Sequence, residues 1–114
     1  MNVDPGTMNP VEHGEVFVTR DGQETALDLG YYERFLGTPT TEINSTSYGK
    51  LFRKLIHRER NGQYLGKTVQ LIPHLTDLIQ EFIKDQSSQY DIIICEIGGS
   101  IGDIDAMAFY EAIR

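Results

Sequence analysis

Apolar residues at Leu75, Leu78, Ile79, Phe82 and Ile83 fall at i, i+3, i+4, i+7 and i+8, which places them on one helical face and predicts a helix over 75–83. A second helix is predicted to run to about Arg60. In it Leu51 and Leu55, and Phe52 and Ile56, form i,i+4 apolar pairs, Ser45 or Thr46 can cap the start, and Asn61-Gly62 supplies a stop. Alternation changes around Glu15, where the β-prone runs Val16-Phe17-Val18-Thr19 and Glu24-Thr25-Ala26-Leu27 flank Asp21-Gly22 and predict a hairpin over 15–28. Leu29–Leu36 reads as a short helix ended by Gly37, and 38–47 as a polar surface loop. Thr68-Val69-Gln70-Leu71-Ile72 reads as a strand closed by Pro73. Tyr90-Asp91-Ile92-Ile93-Ile94-Cys95 is apolar at nearly successive positions, as in a strand covered on both faces of a parallel sheet. Ala106–Arg114 has helical periodicity, and the first fifteen residues, with Pro5-Gly6, Asn9-Pro10 and Gly14, read as a loop.

Strand, helix, strand, helix is an α/β pattern. Two buried parallel strands and a hairpin form a thin sheet, so further strands are implied; the chain also opens with Met1 directly against a loop and closes at Arg114 inside a helical pattern. Both features suggest an excised piece. With 114 residues there is material for one small core. A net charge of -7, from 17 acidic and 10 basic residues, argues against general nucleic-acid binding. No apolar run approaches the roughly 20 residues of a bilayer crossing, and no leader-like segment begins the chain. A soluble, cytoplasmic protein is expected, with no membrane partner. The single Cys95 cannot form an internal disulfide and reads as a buried small hydrophobe.

The sharpest chemical signal is Ile92-Ile93-Ile94-Cys95-Glu96-Ile97-Gly98-Gly99, an apolar strand ending in an acid and followed by glycines. It resembles a Walker B arrangement, in which a carboxylate at the carboxyl end of a strand faces the ligand crevice and can hold a phosphate-bound Mg²⁺. An acid that caps a loop or pairs with a lysine has the same pattern. Asp28 reads by pattern alone as a turn carboxylate. Five of the ten basic residues, Lys50, Arg53, Lys54, Arg58 and Arg60, share the stretch 50–60 with the one acid Glu59, either as a solvated helix face or as a surface for an anion or partner. His13, His57 and His74 show no zinc-ligand spacing, and no nucleophilic triad follows from residue order.

Four longer segments resemble the amidoligase (synthetase) domain of the CTP synthase family. They are Asn2-Val3-Asp4-Pro5-Gly6-Thr7-Met8 through His13-Gly14-Glu15-Val16-Phe17-Val18; Asp28-Leu29-Gly30 with Tyr32-Glu33-Arg34-Phe35; Tyr64-Leu65-Gly66-Lys67-Thr68-Val69-Gln70 with Ile72-Pro73-His74; and Glu96-Ile97-Gly98-Gly99-Ser100-Ile101-Gly102-Asp103-Ile104-Asp105. The resemblance implies that residues 1–114 are one partial domain, from the central part of a P-loop-NTPase-like, Rossmann-like parallel sheet with helices and a hairpin insertion. The phosphate loop would lie upstream, and further UTP-binding residues and a glutaminase domain downstream, so that the piece alone is inactive. The implied enzyme is a carbon–nitrogen ligase that aminates UTP to CTP through a 4-phosphorylated intermediate, using ATP with Mg²⁺ and ammonia from glutamine.

By the same resemblance, Asp28 and Glu96 are magnesium-binding carboxylates, Asp28 lying also beside the ATP phosphates. Asp103, Ile104 and Asp105 contact UTP or the inhibitor CTP, and Gln70 lies near the pyrimidine site. Pro10, His13 and Val16 line the ammonia passage. The implied partners are these nucleotides, the glutaminase domain and further copies in a homotetramer. Asp105 stands where the family usually has Glu, Ser100 where it has Thr, and Ala26 where it has Asp. The alternative is a stand-alone pyrimidine-nucleotide-binding or regulatory module without catalysis, which the natural reading frame would distinguish. A generic P-loop relative of the dethiobiotin-synthetase kind would lack the segment from Asp4 to Val18.

Overall fold

A computed structural model describes residues 4–114; Met1 to Val3, the beginning of the expected loop and of the first family-like segment, lie outside the described residues. The described residues gather into two compact units, one ending at Lys50 and one running from Leu51 to Arg114.

In the first unit the expected loop contains two single helical turns, a 3₁₀ turn at Pro5–Thr7 and α1 at Pro10–His13. Each begins on a proline, whose fixed φ suits the first helical position, and Asn9 caps α1 by accepting from the Val11 amide at 3.0 Å. One turn is too short to produce a periodic signal. The hairpin is present: β1 (Val16–Val18) pairs antiparallel with β2 (Glu24–Ala26), Phe17 opposite Thr25. Thr25 is fully buried, and its hydroxyl donates to the Phe17 carbonyl at 3.2 Å. At the turn, Asp21 accepts from the Thr19 hydroxyl and, at 2.9 Å, from the Glu42 amide. These bonds, the Glu42 amide foremost, hold the Asp21 carboxyl below its usual range. α2 (Asp28–Leu36) follows the hairpin directly and ends on Gly37. Gly30 sits so close to the hairpin that a β-carbon there would stand 2.7 Å from Cδ2 of Phe17, which fixes how near the start of α2 approaches β1.

α3 (Tyr48–Arg60) begins on Ser47, whose hydroxyl accepts from the Lys50 amide at 3.3 Å; the cap is therefore one or two residues later than expected. In the second unit, Leu51 and Leu55 of α3 are buried, and α4 (Thr76–Lys84) packs on α5 (Met107–Ile113) through Leu78, Ile79 and Ala112. Burying each such leucine or isoleucine contributes about 1.5–3 kcal/mol. Gln80 of α4 donates to the Ala112 carbonyl at 2.8 Å, tying the two helices together at the end of α5.

Two expected strands are not strands. Residues 67–70 have no regular structure, and Leu71–Leu75 form a wide π-type turn across a cis Ile72–Pro73 bond, with Ile72 extended at φ -112° and ψ 120°. Tyr90–Cys95 likewise has no regular structure, and Ile92 and Ile94 are 81% and 91% exposed. A strand exists only where a neighbour supplies its ladder of hydrogen bonds. The one strand pair among the described residues is β1–β2, and no partner strand accompanies either segment. The fold is thus mixed α/β with an antiparallel pair, and the expected parallel sheet is absent from the described residues. Cys95, expected to be buried, is exposed for the same reason. No helix among the described residues is long and apolar enough to cross a membrane.

Candidate functional site

Asp28 is the first residue of α2 and is exposed. The hairpin-to-helix junction thus presents a carboxylate at the first turn of α2. Glu96 lies exposed just beyond the Tyr90–Cys95 segment and takes part in an interaction of its own. Asp28 belongs to the first unit and Glu96 to the second. No cluster of three or more His, Cys, Asp or Glu side chains among the described residues could hold a metal ion. The donor chemistry nevertheless suits Mg²⁺, which takes hard oxygen ligands and is commonly held by one or two carboxylates together with substrate phosphates.

The glycine-rich segment after Glu96 forms a compact turn. Gly99 and Gly102 have φ of 93° and 100°, values that residues with a β-carbon rarely adopt. Between them the Ser100 amide donates to Oδ2 of Asp103 at 3.2 Å, and the Asp103 amide returns to the Ser100 carbonyl at 3.1 Å. Asp103 thereby leads into a 3₁₀ turn, Ile104–Ala106, which carries Ile104 and Asp105 outward; Ile104 is 86% exposed. The structure brings Asp103, Ile104 and Asp105 together on one short turn at the start of α5, anchored by buried Ala106.

Gln70 precedes the turn at 71–75, and its backbone amide donates to Nδ1 of His74 at 3.0 Å. The His74 ring meets Tyr64 edge-on, centroids 4.8 Å apart at 74°. On α3 the Arg58 guanidinium grips Glu81 with two bonds of 2.9 and 2.8 Å. Glu81 foremost raises the Arg58 pKa, and Arg58 foremost lowers that of Glu81. Lys54 adds a 3.4 Å contact to the same carboxylate, and Lys50 hydrogen-bonds the Gln23 side chain. Three of the five basic residues of 50–60 thus have partners within the chain. Beside Gln70, a cavity of about 410 Å³ is lined by Leu55, Ile56, Glu59, Lys67, Thr68 and Val69. Residue order showed His74 only as an isolated histidine; its four-residue separation from Gln70 was the available signal.

Pro10 and His13 occupy the two ends of the single turn α1, and Val16 opens β1. His13 lies 3.7 Å from Glu12.

A family profile described as CTP synthase N-terminus matches residues 1–114. Over the same 114 residues the chain is 60% identical to a CTP synthase of Neorickettsia sennetsu, 57% to one of Brucella ovis and 54% to one of Rhodopseudomonas palustris. Each match covers 100% of this chain and 21% of the relative, so the chain spans about a fifth of the length of these curated relatives.

Proposed function

The chain belongs to the CTP synthase N-terminal family, and from that premise we propose that it forms the central part of the amidoligase domain of a glutamine-hydrolysing CTP synthase. The observation that carries this reading is the match of the whole chain to CTP synthases at 54–60% identity. The reaction is the ATP-dependent amination of UTP to CTP. A carbonyl oxygen is a poor leaving group, so O4 of UTP is first phosphorylated and ammonia from glutamine then displaces the phosphate. Asp28 and Glu96 would hold Mg²⁺, Asp28 beside the ATP phosphates, where bound Mg²⁺ would supply neutralisation of the charge that develops in phosphoryl transfer. Asp103, Ile104, Asp105 and Gln70 contact UTP or CTP, and Pro10, His13 and Val16 border the path of ammonia. In the complete enzyme residues 1–114 belong to one domain with a parallel sheet, in which Thr68–Ile72 and Tyr90–Cys95 are strands, and four subunits associate. By itself the 114-residue piece lacks the phosphate loop and the glutaminase and is inactive.

The test is substitution in the complete enzyme. Asp28→Asn and Glu96→Gln, nearly isosteric changes, are expected to lower CTP formation by more than roughly a hundredfold, the upper end of what outer-shell partners of metal sites cost, while glutamine hydrolysis stays measurable. Near-parent synthesis by both variants across magnesium concentrations would overturn the assignment.

A further inference from the structure

We infer that Phe17 is a positioning residue for the Asp28 carboxylate, acting through Gly30; this rests on the reading of Asp28 as a magnesium-binding residue proposed above. Only Leu27 separates β2 from α2, and its carbonyl accepts from the Gly30 amide at 2.9 Å, so the first turn of the helix is tethered to the hairpin there. A tether alone leaves the helix free to rotate and tilt about that point. The second fixed point is the Phe17 ring of β1. A β-carbon on Gly30 would stand 2.7, 3.1 and 3.2 Å from its Cδ2, Cε2 and Cγ, so the glycine backbone rests directly on the ring. The ring cannot swing aside cheaply. Its Cγ is joined to the strand through a single carbon, and the strand is held by its pairing with β2 and by the Thr25 hydroxyl on the Phe17 carbonyl at 3.2 Å. Successive residues of an α-helix turn by about 100°, so Asp28 lies about 200° round from Gly30. With Gly30 turned to the hairpin, the Asp28 side chain is turned away from it, and it is exposed. The contact between ring and glycine therefore sets both how close to the hairpin α2 begins and the direction its first carboxylate faces. Both elements lie in the same compact unit, and neither overlaps the two segments read above as further strands of the complete enzyme.

Paired substitutions in the complete enzyme test this, read by the binding of Mn²⁺, a spectroscopically visible stand-in for Mg²⁺, with a non-hydrolysable ATP analogue and no turnover. Alanine is a better helix former than glycine, so the penalty of Gly30→Ala arises from the ring. This variant is expected to weaken Mn²⁺ binding by roughly tenfold, the lower end for residues that orient metal ligands, and to raise the magnesium requirement of CTP formation in step. The KM for UTP and the rate of glutamine hydrolysis are expected to stay at parent values. Phe17→Leu frees the space that the added methyl group needs, and the double variant Phe17→Leu/Gly30→Ala is expected to return Mn²⁺ binding to within about threefold of the parent. Parent-like Mn²⁺ binding in Gly30→Ala, an equal shift in the KM for UTP, or a double variant no better than Gly30→Ala would each overturn the inference. If Gly30→Ala does not fold, Phe17→Leu is compared with the double variant, where the added methyl group must tighten Mn²⁺ binding; no gain overturns it. Asp28→Asn is measured in parallel. Parent-like Mn²⁺ binding there removes the magnesium role of Asp28 and the inference with it, whereas weakened binding there and parent-like binding in Gly30→Ala removes only the role of Phe17.

Discussion

Asp103 and Asp105, two residues apart, are held differently. Oδ2 of Asp103 accepts from the Ser100 amide and closes the glycine turn, so its first task is to shape the segment. Asp105 sits one step further on, exposed on the 3₁₀ turn that points away from buried Ala106. If this turn meets the part common to UTP and CTP, loss of the Asp105 carboxylate affects both ligands. A charge-assisted hydrogen bond is worth about 1.5–3 kcal/mol, or roughly one to two decades in affinity. Aspartate is the shorter of the two carboxylate side chains and reaches less far than glutamate, so the lower end is expected. In the complete enzyme, Asp105→Ala should therefore raise the KM for UTP and the inhibitory concentration of CTP each by about tenfold. Titration of CTP against variant and parent at matched UTP saturation checks it; unchanged inhibition would show that Asp105 does not reach the nucleotide.

Between elements, the best-defined polar link joins α3 to α4 through Arg58 and Glu81. The Glu81 carboxyl lies below its ordinary 4.5, chiefly through the Arg58 hydrogen bonds. A depressed acid contributes its full stabilisation above the unfolded value and loses it as pH falls through the lower, folded one. With the Glu81 side chain 42% exposed, the pair is worth at most about 0.5–1 kcal/mol. Glu81→Gln is thus expected to speed amide exchange in α4 by roughly two- to fivefold at neutral pH, and the gap from the parent should close as pH falls below the carboxylate range. Exchange rates normalised to their intrinsic values would measure both. The apolar period of 75–83 was enough to locate α4, and Asp21-Gly22 between β-prone runs was enough to locate the hairpin, because both signals are local. The two expected strands are absent from the described residues because a strand depends on a partner, and Ile92-Ile93-Ile94 cannot specify one. Site legibility divides similarly: the glycines after Glu96 are plain in the sequence, whereas the turn they form before Asp105 and the bond from the Gln70 amide to the His74 ring are seen only in the structure.

At the scale of the molecule, the exposed Tyr90–Cys95 segment contrasts with its composition. Ile92 and Ile94 face solvent at 81% and 91% exposure, and Cys95 is exposed beside them. The chain corresponds to 21% of its relatives' length, and the proposed parallel sheet would cover this segment on both faces. In that case Cys95 in the complete enzyme should react with a thiol reagent at least roughly a hundredfold more slowly than in the 114-residue chain, because access would require local opening. Mass-spectrometric counting of label on the Cys95 peptide decides it, and equal rates would remove the buried strand.

The same bare stretch has a consequence for the birth of the protein. Ile92-Ile93-Ile94-Cys95 is β-prone, uncharged and free of proline and glycine, which is the composition that stacks into cross-β assemblies when left open. If the proposed sheet makes this run a strand covered by distant parts of its own polypeptide, the run stays sticky until they arrive, at a ribosomal pace of about 5–20 residues per second. Asp91 and Glu96, the charged residues that bracket the run, would then act as gatekeepers during that wait. Glu96 would then serve the nascent chain before it serves the metal.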